Sequence, residues 1–231
     1  EIRQLVFEMD GLRERARRLQ RDFFIHYPEI GFSKAEKLYF APAKQTIARV
    51  VSLSDKLREL AAEPDTSEAL RKRNTDINLY IEDLVAMVTT LAAPGTGLQG
   101  QLKARQAALG ALAAENPEAR PLHREMALLE HEYWLNRQRP AMQSALNMGF
   151  QLGKALDADP RLPAEKKAAA RALLHEYGEI ARQILDLDVA IRSKLNDLSL
   201  QARAADPISQ DLKALATADV ERANRRIRHA G

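Results

Sequence analysis

From Leu70 onward, side chains recur at alternating spacings of four and three: Leu70, Asn74, Ile77, Ile81, Leu84, Val88 and Leu91. The phase resumes at Leu98, Leu102, Arg105, Leu109 and Leu112, with Gly95 filling the step between. An α-helix that buries one stripe against other helices has this period; a strand alternates at every second residue. The seam predicts one kinked, nearly continuous helix over about residues 66–115, with Pro94-Gly95-Thr96-Gly97 as the kink rather than a domain boundary. At about 1.5 Å per residue such a helix reaches about 75 Å, so an elongated architecture is expected.

Two further seams extend the pattern. One runs through Ile2, Leu5, Met9, Leu12, Ala16, Leu19 and Phe23, with His26 at the next position. The other runs through Leu173, Tyr177, Ile180, Ile184, Leu187 and Ile191 and repeats the Leu70–Val88 seam. The stretch Arg17-Arg18-Leu19-Gln20-Arg21-Asp22-Phe23-Phe24-Ile25-His26 is likewise echoed by Ala127-Leu128-Leu129-Glu130-His131-Glu132-Tyr133-Trp134-Leu135-Asn136. Leu12, Ala16, Leu19, Phe23 and Phe40 pair with Leu122, Met126, Leu129, Tyr133 and Phe150. These echoes predict an internal duplication, with one repeat over about residues 1–116 and the other over about 117–231.

Turn signals divide the chain into six helices. Tyr27-Pro28-Glu29-Ile30-Gly31 ends the first, and Ser33-Lys34-Ala35-Glu36 reads as a capping box opening the second, to about Ala62, with Pro42 kinking its first turns. Glu63-Pro64-Asp65 precedes the long third helix, and Asn116-Pro117-Glu118 joins the repeats. The fourth helix ends near Arg137, the fifth runs from Pro140 to about Leu156, and the sixth from about Ala164 to the C-terminus with Pro207 inside.

Composition excludes several functions. The 231 residues contain no cysteine, so disulfides, thiol catalysis and cysteine metal sites are absent. A net charge of +3 is too small to argue for nucleic acid. No apolar run in these residues is long enough to span a membrane, and none of them reads as a signal peptide. Glu1 rather than Met at the start is what a fragment trimmed of membrane anchors would show. No phosphate-binding glycine loop, nucleophile elbow or His-Glu-x-x-His motif occurs, so no catalytic residue, cofactor or metal site is expected, and the chain is read as a non-enzyme.

The two echoed motifs, together with Gly97-Leu98-Gln99-Gly100-Gln101-Leu102-Lys103-Ala104-Arg105, resemble the helical bimodular sensor domain of bacterial chemoreceptors and sensor histidine kinases. The resemblance covers nearly the whole chain. It implies six helices in two stacked four-helix-bundle modules, a periplasmic location between membrane spans, a homodimeric full-length receptor and a small-molecule ligand, organic acids among them. The second motif departs from the family in having Ala127 and Leu128 for the paired arginines, and His26 and Asn136 stand where both motifs otherwise end in Arg.

A carboxylate between helices needs a forked cationic donor, which arginine supplies. Arg105 is the first candidate because it occupies a seam position, and Arg203 is its copy in the sixth helix. Arg15 flanks the first seam, whereas Arg18 is carried on the resemblance alone. By heptad count Arg18 and Arg21 face outward. His26 and Asn74 are inward polar positions that serve either a pocket or helix register. An inward arginine paired to a nearby acid is the competing structural role. The competing function is a cytoplasmic helical scaffold, or a bundle that binds membrane surfaces through its arginine-rich faces.

Overall fold

The computed structural model describes residues 1–60 and 64–229, and every regular element among them is helical. The chain is all-α. Helix α1 spans Ile2–Ile30, α2 Phe32–Ala35, α3 Ala41–Leu60, α4 Pro64–Ala92 and α5 Leu98–Ala113. Then follow α6 (Ala119–Asn136), α7 (Arg139–Asp157) and α8 (Ala164–His229).

The turn chemistry explains most boundaries. Gly31 ends α1 at φ +89°, a backbone region open to glycine, and its N–H donates to the Tyr27 carbonyl. Ser33 lies inside α2 and makes no capping bond, so the expected capping box is not formed; Gly31 takes the N-cap position instead. Between α2 and α3, Glu36–Phe40 form a π turn in which the Ala41 N–H reaches back to Glu36. Pro42 follows at once. It has no N–H for the Leu38 carbonyl, and the wider turn accommodates that loss. The end of the second helix near Ala62, the Glu63 part of the next turn and the last two residues of the tail lie outside the described residues. Pro64 and Asp65 are already the first residues of α4.

The expected kinked, nearly continuous third helix is interrupted over residues 93–97, at the place the kink was expected. Pro94 has no amide donor and disfavours helical geometry at Ala93, and Gly95 turns to φ +79°. A Cβ on Gly97 would sit 2.7 Å from the Ala93 amide nitrogen, so this position also requires glycine. At the join to α6, the Asn116 side-chain oxygen accepts from the amides of Glu118 and Ala119, both at 2.9 Å. That bond holds the turn through Pro117 and satisfies two donors at the helix start.

Backbone contacts divide the chain into two compact units, Glu1–Ala86 with Arg192–Gly231, and Met87–Ile191. The first draws on α1–α3, most of α4 and the C-terminal part of α8. The second draws on α5–α7, the end of α4 and the N-terminal part of α8.

The α4 seam is buried at every expected position from Leu70 to Leu91. The α1 seam is displaced by part of a turn. Met9, Ala16 and Phe23 are buried as expected, but Arg13 and Gln20 are buried where Leu12 and Leu19 were expected, and those two leucines are only half-buried. The spacing of three and four is kept, and two polar side chains enter the core in place of two leucines.

Candidate functional site

The displaced α1 stripe opens onto a cavity of about 570 Å³ in the first unit. Its polar side is built on α1 by Arg13, Arg17, Gln20 and Arg21, and on α8 by Ser199 and Arg203. Its apolar wall comes from Ile47 of α3, Ile77 and Ile81 of α4, and Leu195 and Leu198 of α8, with Phe24 and Ile25 near the end of α1. Three arginines four residues apart on one helix row repel, at about 0.2–0.5 kcal/mol per pair on an exposed helix. The described lining contains no acidic residue.

The four guanidinium groups are not equivalent. Arg13 is only 4 % exposed and is fully engaged. It donates to Asn74 Oδ1 of α4 at 3.1 Å, to Ser209 Oγ of α8 at 2.5 Å, and to Asp10 on its own helix. Asn74 in turn donates to Ser54 Oγ of α3 at 2.7 Å, and Lys213 bonds the other Asp10 oxygen. Burial pushes the Arg13 guanidinium below its ordinary pKa, and Asp10 opposes that shift. This network ties all four helices together behind the cavity.

Arg17, Arg21 and Arg203 are differently placed. Arg17 lies 3.7 Å from both Glu14 and Asp206, too far for strong hydrogen bonds, and its buried Nε has no partner among the described residues. Arg21 and Arg203 make no ion pair among those residues, and the Gln20 amide makes no hydrogen bond there. Arg17 is half-buried, whereas Arg21 and Arg203 are exposed at the open side of the cavity, so cationic donors border a partly enclosed space whose described lining holds no anion.

An aromatic cluster packs at the same end of α1. The Phe23 ring stacks on Phe40 at 3.8 Å and on Tyr27 at 5.2 Å, and meets Phe32 edge-on. Phe24 packs edge-on against Phe23 and Phe40 and also lines the cavity.

The second unit buries a different set of polar groups. Tyr177 donates to Glu130 at 3.0 Å, and Tyr133 donates to Asp188. Arg137, the left-handed residue that ends α6 at φ +52°, bonds Asp188 at 3.1 Å and lies 4.7 Å over the Trp134 ring. Burial pushes the Glu130 carboxyl above its ordinary value, and the Tyr177 hydroxyl pulls it back. Tyr177 is pushed up by burial and by the Glu130 charge. These groups satisfy one another.

Of the residues nominated from sequence, Arg203 lines the cavity and Asn74 holds Arg13 behind it. Arg105 does not face the core. It pairs with Glu176 at 3.1 Å, at 34 % exposure, in the second unit. Arg15 and Arg18 are exposed and outside the lining. His26 is half-buried and stacks with Tyr39 at 5.6 Å. Arg13, Arg17, Gln20 and Arg21 were not nominated. Three of them, Arg13, Arg17 and Arg21, form a row of arginines four residues apart on α1, which is visible in the sequence.

Among the described residues, no cluster of three His, Cys, Asp or Glu side chains converges to hold a metal ion, and no helix is long and apolar enough to cross a membrane. No protein-family model matches the chain, and neither does any curated protein or solved structure.

Proposed function

We propose that the chain is the extracytoplasmic ligand-binding sensor domain of a transmembrane signal-transduction receptor. The first-unit cavity takes a small organic anion. The observation that carries this reading is the set Arg17, Arg21 and Arg203 on a lining without an acid. Guanidinium groups grip carboxylates through paired N–H donors. α1 and α8 both contribute arginines, so an anion between them draws the two helices together. A shift of α8 against α1 is the signal in this reading.

The duplication belongs to the same proposal. Matched positions share burial in the two units: Ala16 with Met126, Gln20 with Glu130 and Phe23 with Tyr133 are buried, and Leu19 and Leu129 are half-buried. Phe40 and Phe150 depart from this, since Phe150 is 64 % exposed. Two modules have diverged, in this account, and the second has filled its polar core with self-satisfied pairs.

Thermal unfolding of the whole chain against a panel of carboxylates tests the reading. A ligand at a hundred times its dissociation constant adds about 2.7 kcal/mol, which raises the midpoint by about 5–10 °C for a chain of this size. Arg203→Ala and Arg21→Ala should abolish the rise, whereas Arg15→Ala and Arg18→Ala should leave it intact. A rise that survives loss of both Arg21 and Arg203 would place the ligand elsewhere.

The scaffold reading has one observation in its favour, the exposed basic end of α8 with Arg222, Arg225, Arg226 and Arg228. Salt-sensitive binding to anionic vesicles, without any response to small anions, would favour it.

A further inference from the structure

The two sides of the cavity differ in chemistry. Every arginine and the Gln20 amide come from α1 or α8. α3 and α4 contribute Ile47, Ile77 and Ile81 and no polar side chain. An anion held by the arginines therefore shares the cavity with isoleucines of α3 and α4 that offer it no polar group.

A small polycarboxylate fits such a space poorly. Seated on Arg17, Arg21 and Arg203, it would turn its remaining oxygens toward Ile47, Ile77 and Ile81, which offer no hydrogen bond. Polar groups desolvated without partners bind weakly. The available charge also sets a limit. Arg13 is already occupied by Asp10, Asn74 and Ser209, and Arg17 shares Glu14 and Asp206 at a distance. That leaves Arg21 and Arg203 as wholly uncompensated cations among the described residues, enough for one strongly held anionic group.

Volume points the same way. A cavity of about 570 Å³ falls in the range that encloses drug-sized ligands, which are held mostly by apolar contacts with a few polar groups fixing orientation. Phe24 and Leu198 extend the apolar surface.

We propose that the cavity selects an amphipathic organic anion: one carboxylate on an aryl or cycloalkyl body, with the carboxylate on the α1 and α8 arginines and the body against Ile47, Ile77 and Ile81. This rests on the reading of the cavity as an anion site and adds the chemistry of the rest of the ligand. Affinity then grows with the apolar body at constant head group, by about fourfold per buried methylene.

Isothermal titration of the whole chain with 2-naphthoate, 2-naphthamide, cyclohexanecarboxylate, acetate and citrate separates the possibilities. The expected order is 2-naphthoate, then cyclohexanecarboxylate, then acetate, with at least 100-fold between the first and last. Naphthoate binding should show a negative heat-capacity change. Arg203→Ala should weaken 2-naphthoate by about 10- to 100-fold, the loss expected for a charged hydrogen-bonded contact. Ile77→Thr should weaken 2-naphthoate and leave acetate unchanged. Citrate binding more tightly than 2-naphthoate, with sensitivity to Arg203→Ala, would overturn the amphipathic ligand and preserve the anion site. Equal binding of 2-naphthamide and 2-naphthoate would overturn the anion site itself. No heat with any of the five would overturn both.

Discussion

Two buried polar side chains decide how this molecule is read. Arg13 replaces Leu12 and Gln20 replaces Leu19 in the α1 core stripe. Leucine at a seam position is the expected choice, since burying it contributes about 1.5–3 kcal/mol. That preference is overturned by Asn74, Ser209 and Asp10, which give Arg13 its partners and come from positions 61, 196 and three residues away. No local pattern announces partners so distant in sequence, so the phase of α1 was not legible from its own residues. Arg21 keeps the exposed position that heptad counting gives it, and it also lines the cavity. In the second unit, Glu130 carries a prediction about pH. Its folded pKa is raised above the ordinary 4.5, chiefly by burial. Above that ordinary value the unfolded chain has released the proton while the folded chain retains it, so stability falls as pH rises through the window above 4.5. Glu130→Gln keeps an acceptor for Tyr177 and removes the titration. The variant should gain stability relative to the parent as pH is raised from 4.5 toward neutrality, as measured by urea midpoints across that range. A difference that is flat with pH would show that Glu130 is not the titrating group.

At the scale of elements, the period of a seam proved more legible than its phase. α4 is buried at every seam position from Leu70 to Leu91, because its stripe is apolar apart from Asn74 and admits no second choice. α7 begins at Arg139 and ends at Asp157, close to the Pro140 and Leu156 signals. The seam keeps its phase through Pro94 and Gly95 although the helix is interrupted there, because a periodic spacing can persist across a backbone break that its residues enforce. The Ser33 capping box failed because Gly31 had already started the helix two residues earlier. Close approach between α5 and α6 yields a second prediction. Gly110 faces the His123 ring, whose Nε2 is 2.8 Å from the Gln106 carbonyl, and a Cβ at residue 110 would lie 2.6 Å from Cε1. Glycine to alanine inside an exposed helix normally stabilises by about 0.5–1 kcal/mol. Here displacement of a hydrogen-bonded ring opposes that gain, and overpacking costs about 1–3 kcal/mol. Gly110→Ala should therefore lower the thermal midpoint, whereas Gly100→Ala, with open space around its Cβ, should not.

At the scale of the whole molecule, the all-α class follows from the seams. The two compact units are discontinuous in sequence, because α4 and α8 each contribute to both. The candidate site was legible only in part. Asn74 was found from its seam position and Arg203 as the echo of Arg105, but a cavity depends on which side chains four helices leave apart, and periodicity records only which ones meet. The central claim is that an organic anion binds inside the first unit, and methyl NMR of the isoleucines tests it most directly. The whole chain, labelled at isoleucine δ1 methyls, would be titrated with the strongest stabiliser from the carboxylate panel. The account predicts saturable shifts at Ile47, Ile77 and Ile81, which line the cavity, with Ile180 and Ile184 of the second unit unmoved. Shifts confined to Ile180 and Ile184, or a saturating ligand that moves none of Ile47, Ile77 and Ile81, would contradict it.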